Sequence, residues 1–459
     1  LIMCRISDRV IAAILEKGRI YEVGGAVRDS LMNRTINPED RDYLVCGVPY
    51  KDLSELLKEH GRVDLVGRSF GVIKFTQFKN KDRKYTFDIA LPRREYSTGV
   101  GHRDFDVTFD PDISIEDDLT RRDFTINAMA VALDNSTLID PLGGKADLEK
   151  KQIRMVSDKS FHEDPLRMLR AIQFAARFEF EIEDKTYQAI KENSALIETV
   201  SIERISDELN KMLFLAARPS IGFRLMHETG LLEHILPELE QTVGVDQPGG
   251  YHAYDVFEHT IRTVDASPQD LTIRLAALFH DITKPKAKRL TETGATFYGH
   301  EKTGSEVAKA ALKRLRYPTD TIKDVVTLVE RHMFTTDVTD KGLRRLIRRV
   351  GPELIFDLLD LRRADVEAQG MGGRTDDVDE FERQIQEELD RKPPFTVKDL
   401  AIDGHDIMEK FSLPESPLIG EILDYLIEKV LDDPGDNTED KLFEYAGSFL
   451  ANRENKSSS

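Results

Sequence analysis

The chain has 459 residues, 40% of them hydrophobic and 32% charged, with 65 Lys+Arg against 84 Asp+Glu for a formal net charge of −19. This composition supports several packed domains and excludes both global disorder and a uniformly basic nucleic-acid coat, while leaving room for local basic patches. Two cysteines are too few for a disulfide framework or a cysteine zinc site, and no apolar run reaches the ~20 residues of a membrane span, so a cytoplasmic protein is expected.

In chain order, residues 8–17 read as a short helix and 19–23 as a strand running into Gly24-Gly25. A helix follows over 26–32, then a strand over 42–46 and a helix over 51–60 with Leu53, Leu56 and Leu57 on one face. Further strands are expected at 63–66, 71–77 and 85–90, giving an α/β head of mixed sheet that ends near residue 150. Residues 160–237 are helical in pattern. The loop composition of 242–250 marks a boundary, a second helical region runs to about 390, and Arg391-Lys392-Pro393-Pro394 precedes a small helical tail.

The strongest constellation is Gly24-Gly25-Ala26-Val27-Arg28-Asp29 followed by Asp40-Arg41-Asp42. A strand, a diglycine turn and a helix N-terminus make an anion cradle, because glycines let backbone N–H groups approach phosphate oxygens. Asp40 and Asp42, two apart, would point to one face of a strand, where two oxygen ligands beside a phosphate cradle suit Mg²⁺. Arg41, between them, must find solvent or a partner on the opposite face. Asp88, on the strand 85–90, is the expected third carboxylate.

Together with later blocks, these residues resemble the class II CCA-adding tRNA nucleotidyltransferases and the bacterial poly(A) polymerases. The further blocks are Val66-Gly67-Arg68-Ser69-Phe70-Gly71-Val72, Arg121-Arg122-Asp123-Phe124-Thr125-Ile126-Asn127-Ala128, Asp140-Pro141-Leu142-Gly143-Gly144, Glu163-Asp164-Pro165-Leu166-Arg167-Met168-Leu169-Arg170, and Glu203-Arg204-Ile205 with Glu208-Leu209. The resemblance implies an α+β protein: a polymerase-beta-type nucleotidyltransferase head with a mixed sheet (residues 1–150), an all-helical neck (151–245), an HD-type helical domain (246–390) and a small helical tail (391–459). It implies that Asp40, Asp42 and Asp88 are catalytic and that Asp40 and Asp42 hold Mg²⁺. Gly24, Gly25 and Arg28 would hold the triphosphate. Arg122, Asp123 and Asn127 would bind the nucleotide, with Asp123 and Asn127 reading its ribose. Asp164 and Arg167, with Arg170 nearby, would read the bases of ATP and CTP in place of a template. The segment 93–103 is loop-like and basic, and the resemblance makes it the loop that helps switch base specificity. The implied reaction adds C, C and A to the 3′ end of tRNA; A-addition alone and poly(A) synthesis stand as alternatives.

Beyond residue 245, His259, His280-Asp281 and Asp365 occur in helical context, a ligand set suited to a transition metal, with His252, His300 and His332 available for a second position. This order resembles the HD metal-dependent phosphohydrolases, with Thr283 standing where glycine is common. A phosphohydrolase with a nucleotide-binding head is the alternative of another class. Lys341, Arg344, Arg345, Arg348 and Arg349 form one basic helical stripe, and Lys284, Lys286, Lys288 and Arg289 a second cluster. Both are candidate RNA-phosphate contacts, unless the stripe pairs with acids such as Asp357 and Asp360.

Overall fold

The computed structural model describes residues 5–66, 71–80, 83–97, 105–248, 253–291, 294–391 and 393–457. It divides into two compact units, Leu1–Glu240 and Gln241–Ser459, and the fold is mixed α+β.

The first unit is built on a seven-stranded sheet. Its strands are β1 (Arg19–Val23), β2 (Asp42–Cys46), β3 (Arg62–Val66), β4 (Val72–Asn80), β5 (Arg83–Ala90), β8 (Ala130–Ala132) and β9 (Leu138–Ile139), in the order β3-β4-β5-β2-β1-β8-β9. A separate hairpin joins β6 (Arg93–Ser97) to β7 (Phe105–Phe109). Within the large sheet β2 and β5 run parallel and the other pairs antiparallel. Period-two alternation explains the layering. Tyr43 and Val45 of β2 join Phe75, Phe87 and Ile89 beneath the helices Asp8–Leu15 and Tyr50–Lys58. Leu44 packs on the other face with Val23, Ile115, Leu119 and Ala130. Arg41 finds a partner, the Glu22 carboxylate, and both are largely buried. After the sheet come mostly helices, among them Leu166–Phe178, whose apolar face is buried, and Ile202–Leu215, which packs against it.

Three local expectations change. Asp40 is not on the strand: Pro38, which brings a fixed φ and no N–H, opens a 3₁₀ turn over Pro38–Asp40, and β2 starts at Asp42. Residues 93–97 of the expected loop are strand β6, while 98–103 lie outside the described residues. The helical regions also carry short ladders, Gln152–Ile153 with Glu181–Ile182 and Arg289–Thr291 with Gly294–Thr296.

The second unit is helical apart from that hairpin. Its basic stripe lies on the helix Asp340–Val350, and it meets acids on the helix Pro417–Asp432 rather than Asp357 or Asp360. Lys341 pairs with Asp432, Arg345 with Glu428 and Asp432, and Arg348 with Glu428 and Asp424. Arg344 is buried, donating to Glu388 at 3.0 Å and to the carbonyl oxygens of Leu431 and Asp432. Most of the stripe's charge therefore neutralises neighbouring acid within this unit, and Arg349 is the member left exposed. Among the described residues no helix is long and apolar enough to cross a membrane.

Arg344→Ala would leave the buried Glu388 carboxylate with only the largely exposed Arg391, and the Leu431 and Asp432 carbonyls without this donor, so urea unfolding of the full chain should show a loss of about 3 kcal/mol. Arg345→Ala, which breaks part-exposed pairs, should cost under about 1 kcal/mol. Equal losses from the two variants would contradict this assignment.

Candidate active site

Gly24 ends β1 with φ +72°, and the helix Gly25–Leu31 starts directly after it. The positive φ disfavours any side chain at Gly24, and a Cβ there would lie 2.9 Å from Nη1 of Arg122 and displace that guanidinium. The helix is short, and Arg122 overhangs its turn. Its guanidinium is anchored through Nη2 on the fully buried Asp118, which also takes two bonds from Arg121.

Across the cleft, parallel register places Asp42 directly beside Asp88, and Asp88 opposite Lys74 on β4. Lys74 Nζ is 3.5 Å from the Asp88 carboxylate. The cleft walls displace water from Asp42, and with the like charge of Asp88 they push its carboxyl up to about 6 despite the nearby Arg122. An oxygen-donor set carrying this much excess negative charge fits a hard divalent cation. Asp40 is exposed on the preceding turn, where its carboxylate accepts from Asn37 at 3.1 Å.

The remaining head residues form a connected network. Asp123 is buried: Oδ1 accepts from the Phe124 N–H and Asn127 Nδ2, and Oδ2 accepts from Nε and Nη2 of Arg170 at 3.0 and 2.7 Å. Burial alone would raise its pKa, but Arg170 outweighs burial and holds it below the ordinary carboxylate range. Asn127 Oδ1 accepts from Arg28, leaving Asn127 one N–H and one lone pair for a ligand hydroxyl. Arg28 itself is buried, bonded to Asp29 and lying 4.7 Å from the Phe178 ring centroid, so it braces the wall as well as lining it.

Asp164 and Arg167 are not an ion pair with each other. Asp164 precedes Pro165 and so stays extended ahead of the helix Leu166–Phe178, where Arg204 grips both its oxygens at 3.2 and 2.8 Å. Arg167 donates to Ser160, Glu163 and the carbonyl of Arg121. Gly24, Gly25, Arg28, Asp42, Asp88, Arg122, Asp123, Asn127, Asp164, Arg167 and Arg170 all line one cleft of about 1040 Å³. Asp118 was missed by sequence reasoning, although its spacing of three and four from Arg121 and Arg122 was a usable signal. Residues 67–70 and 98–104, and His252, lie outside the described residues.

The second unit brings its four expected ligands together with two more. His259, His280 and Asp365 form one group, and Asp281, His300 and His332 another. The Nε2 atoms of His259 and His280 are 3.3 Å apart, and those of His300 and His332 are 3.1 Å apart. Nδ1 of His280, His300 and His332 each faces a backbone carbonyl at 2.7 Å, which makes Nδ1 the donor and turns the Nε2 lone pairs inward. Asp281 lies between the groups, Oδ2 3.1 Å from His280 and Oδ1 3.2 Å from His300. Burial would raise it, but His280 and then Lys284, at 2.6 Å, hold it well below the usual range. Burial and the neighbouring His280 push His332 down to about 3, keeping it neutral and able to ligate. Inward lone pairs around a shared carboxylate fit a pair of transition-metal ions. Thr283 donates to the His300 carbonyl, fixing the turn that carries His300. Lys284, expected to contact RNA, is instead buried against Asp281 and Gln247.

A strand–diglycine–helix turn facing two carboxylates on adjacent parallel strands defines the first unit as a nucleotidyltransferase head. Residues 20–154 match the family described as poly A polymerase head domain, 179–242 the "Probable RNA and SrmB-binding site of polymerase A", and 291–446 tRNA nucleotidyltransferase domain 2. The sequence is 36% identical over 338 residues to the A-adding tRNA nucleotidyltransferase of Deinococcus radiodurans, covering 69% of this chain and 75% of that protein. It is 35% identical over 344 residues to the multifunctional CCA protein of Cupriavidus metallidurans, covering 72% and 79%. The fold is that of the Bacillus stearothermophilus CCA-adding enzyme crystallised with CTP, with TM-score 0.70, 24% identity and 98% of each chain covered. The chain belongs to the tRNA nucleotidyltransferase family that holds the CCA-adding and A-adding enzymes.

Desolvation of the Asp42 carboxylate, and then the like charge of Asp88, oppose folding when no cation is bound. Because the folded pKa of Asp42 lies above its unfolded value, the penalty is full above about pH 6 and fades as pH falls toward 4. Asp42→Asn should therefore raise the Tm of metal-free protein at pH 8, by an amount that shrinks at pH 5. A lowered Tm at pH 8 would contradict the repulsion.

Proposed function

We propose that this enzyme completes the 3′ end of tRNA with C, C and A from CTP and ATP. The observation that carries the reading is a single cleft containing the Asp42–Asp88 pair, the Gly24–Arg122 turn and the Asp164–Arg167 side chains. The RNA 3′-hydroxyl attacks the α-phosphorus of the nucleotide; its new P–O bond forms as the bond to pyrophosphate breaks. Arg122 meets triphosphate charge above the diglycine turn. Asn127, held by Asp123 and Arg28, offers its free positions to the ribose hydroxyls, so a deoxy sugar would leave it unpaired. Asp164 and Arg167, each fixed by neighbours, present an acceptor and a donor to the incoming base. Asp42 and Asp88, with Asp40 beside them, would hold Mg²⁺. Bound there, the cation would favour ionisation of the attacking hydroxyl and neutralise charge on the departing pyrophosphate. Addition of A alone is the second reading, favoured by the A-adding relative.

The second unit's His–Asp cluster supports an additional metal-dependent phosphoester hydrolysis. His259, His280 and Asp365 would hold one ion, and His300 and His332 another, with Asp281 between them.

Transcripts lacking CCA, ending in C or ending in CC, supplied with CTP and ATP, should each be extended to CCA and no further. Asp42→Ala should reduce incorporation at least 10³-fold, the order expected when transition-state charge is left uncompensated. A single A added only to the CC end would establish the A-adding reading, and no incorporation at all would overturn both.

Mn²⁺ or Ni²⁺ should raise the Tm of the wild type, and His280→Ala should abolish most of that shift. An equal shift in the two proteins would contradict a metal centre at the cluster.

A further inference from the structure

Phosphoryl transfer to an RNA end needs two nucleotides in the cleft, and the residues assigned above account for the incoming one only. The wall left unassigned is made by the facing helices Leu166–Phe178 and Ile202–Leu215, which contribute Gln173, Glu208, Lys211 and Leu215 to the same cleft. Two of these side chains are buried with unsatisfied polar atoms. Gln173 is 1% exposed, and its Nε2 has no hydrogen-bond acceptor among the described residues. Glu208 is 2% exposed; its Oε1 accepts from Arg170 at 3.2 Å and from Lys211 at 2.7 Å, while Oε2 has no donor among the described residues. A buried amide donor and a buried carboxylate acceptor left unpaired in one cleft are each costly, and such groups are ordinarily satisfied. At the end of the same helix wall, Phe214 and Leu215 are exposed apolar side chains, 52% and 39% accessible.

Resting on the nucleotidyl-transfer reading, we infer that Gln173 and Glu208 form a subsite for the 3′-terminal nucleotide of the RNA acceptor. A ligand group that satisfies both atoms accepts a hydrogen bond from the amide and donates one to the carboxylate. The ring-nitrogen and amino edge of cytosine does so, and so does a ribose 2′-hydroxyl. Lys211 supplies a cation close to the same carboxylate, and Leu215 an apolar surface for the sugar or base. The subsite is distinct from Asp164 and Arg167, whose partners are Arg204, Ser160, Glu163 and the Arg121 carbonyl.

The test uses Gln173→Leu, which keeps the side-chain volume and removes the donor, leaving the Glu208–Arg170 pair in place. Its binding is measured in the absence of nucleotide, by fluorescence anisotropy of a labelled minihelix RNA ending in CC. The Kd for RNA should rise about fivefold to tenfold, the range of one lost hydrogen bond, while the Kd for ATP stays within about twofold by the same scale. Tm should stay level or rise, because a buried unpaired donor has been removed. Repeating the comparison with an RNA ending in an abasic ribose and with one ending in 2′-deoxycytidine names the group: the variant's penalty vanishes on the first if the base edge is bound, and on the second if the hydroxyl is. An unchanged RNA Kd, a penalty that persists undiminished on both altered ends, an equal rise in the ATP Kd, or a lowered Tm would each overturn the inference. Because this readout needs no turnover, failure of the transfer reading in the incorporation assay is a separate result.

Discussion

The ion pair between Asp123 and Arg170 holds the active cleft together. Asp123 follows directly on Arg121 and Arg122 in the head, and Arg170 stands on the helix that also carries Arg167 and Gln173. A guanidinium fork on one buried carboxylate ties the segment carrying Arg122 to the helix carrying Arg167, the two walls proposed to meet the triphosphate and the base. The bond continues outward to Glu208 on one side and, through Asn127, to Arg28 on the other. Buried charge of this kind adds little net stability against an apolar replacement, but breaking it by removing one member is severe, so the register between the walls is tightly specified.

A second constraint is electrostatic. The parallel pairing of β2 and β5 forces Asp42 and Asp88 side by side, and Lys74 offers partial relief to Asp88. The protein keeps a local conflict that an asparagine would remove. Excess negative charge of this sort is what a cation-dependent phosphoryl transfer requires, so the instability and the chemistry have one origin. The His–Asp cluster of the second unit is built by a different route. Backbone carbonyls fix the tautomer of three imidazoles, and a single carboxylate faces both groups of ligands.

Much of this was legible in the sequence. Strands β1 and β2 read true to their ends because alternating apolar residues run into Gly24-Gly25 and Gly47, and Asp88 was identifiable from the apolar residues around it. The clustering of His259, His280, Asp281 and Asp365 was visible from residue type and order. What stayed hidden depends on distance along the chain. Arg344 bonds a carbonyl 87 residues away, so the sequence left the stripe open between RNA contact and pairing with Asp357 and Asp360, when most of it is an ion network with acids on a different helix. Asp118 stands in a run of three acids with Glu116 and Asp117 in the first turn of the helix Ile115–Thr120, and residue type alone does not say which of the three is buried. Strand β6 begins Arg93-Arg94-Glu95, a charged run with little β signature, and is defined by its pairing with β7. Pro38 moved Asp40 off the strand by a local backbone effect that the Asp-x-Asp spacing alone does not report.

In the proposed reaction side chains, not a nucleic-acid template, select the base. The direct measurement is kcat/KM for ATP, CTP, GTP and UTP on a transcript ending in CC, in wild type and in Arg167→Ala. Wild type should favour ATP strongly, and the variant's ratio of ATP to GTP should fall by about tenfold or more, the scale set by one positioned hydrogen-bonding group. A uniform fall for all four nucleotides, with the ratio unchanged, would contradict it.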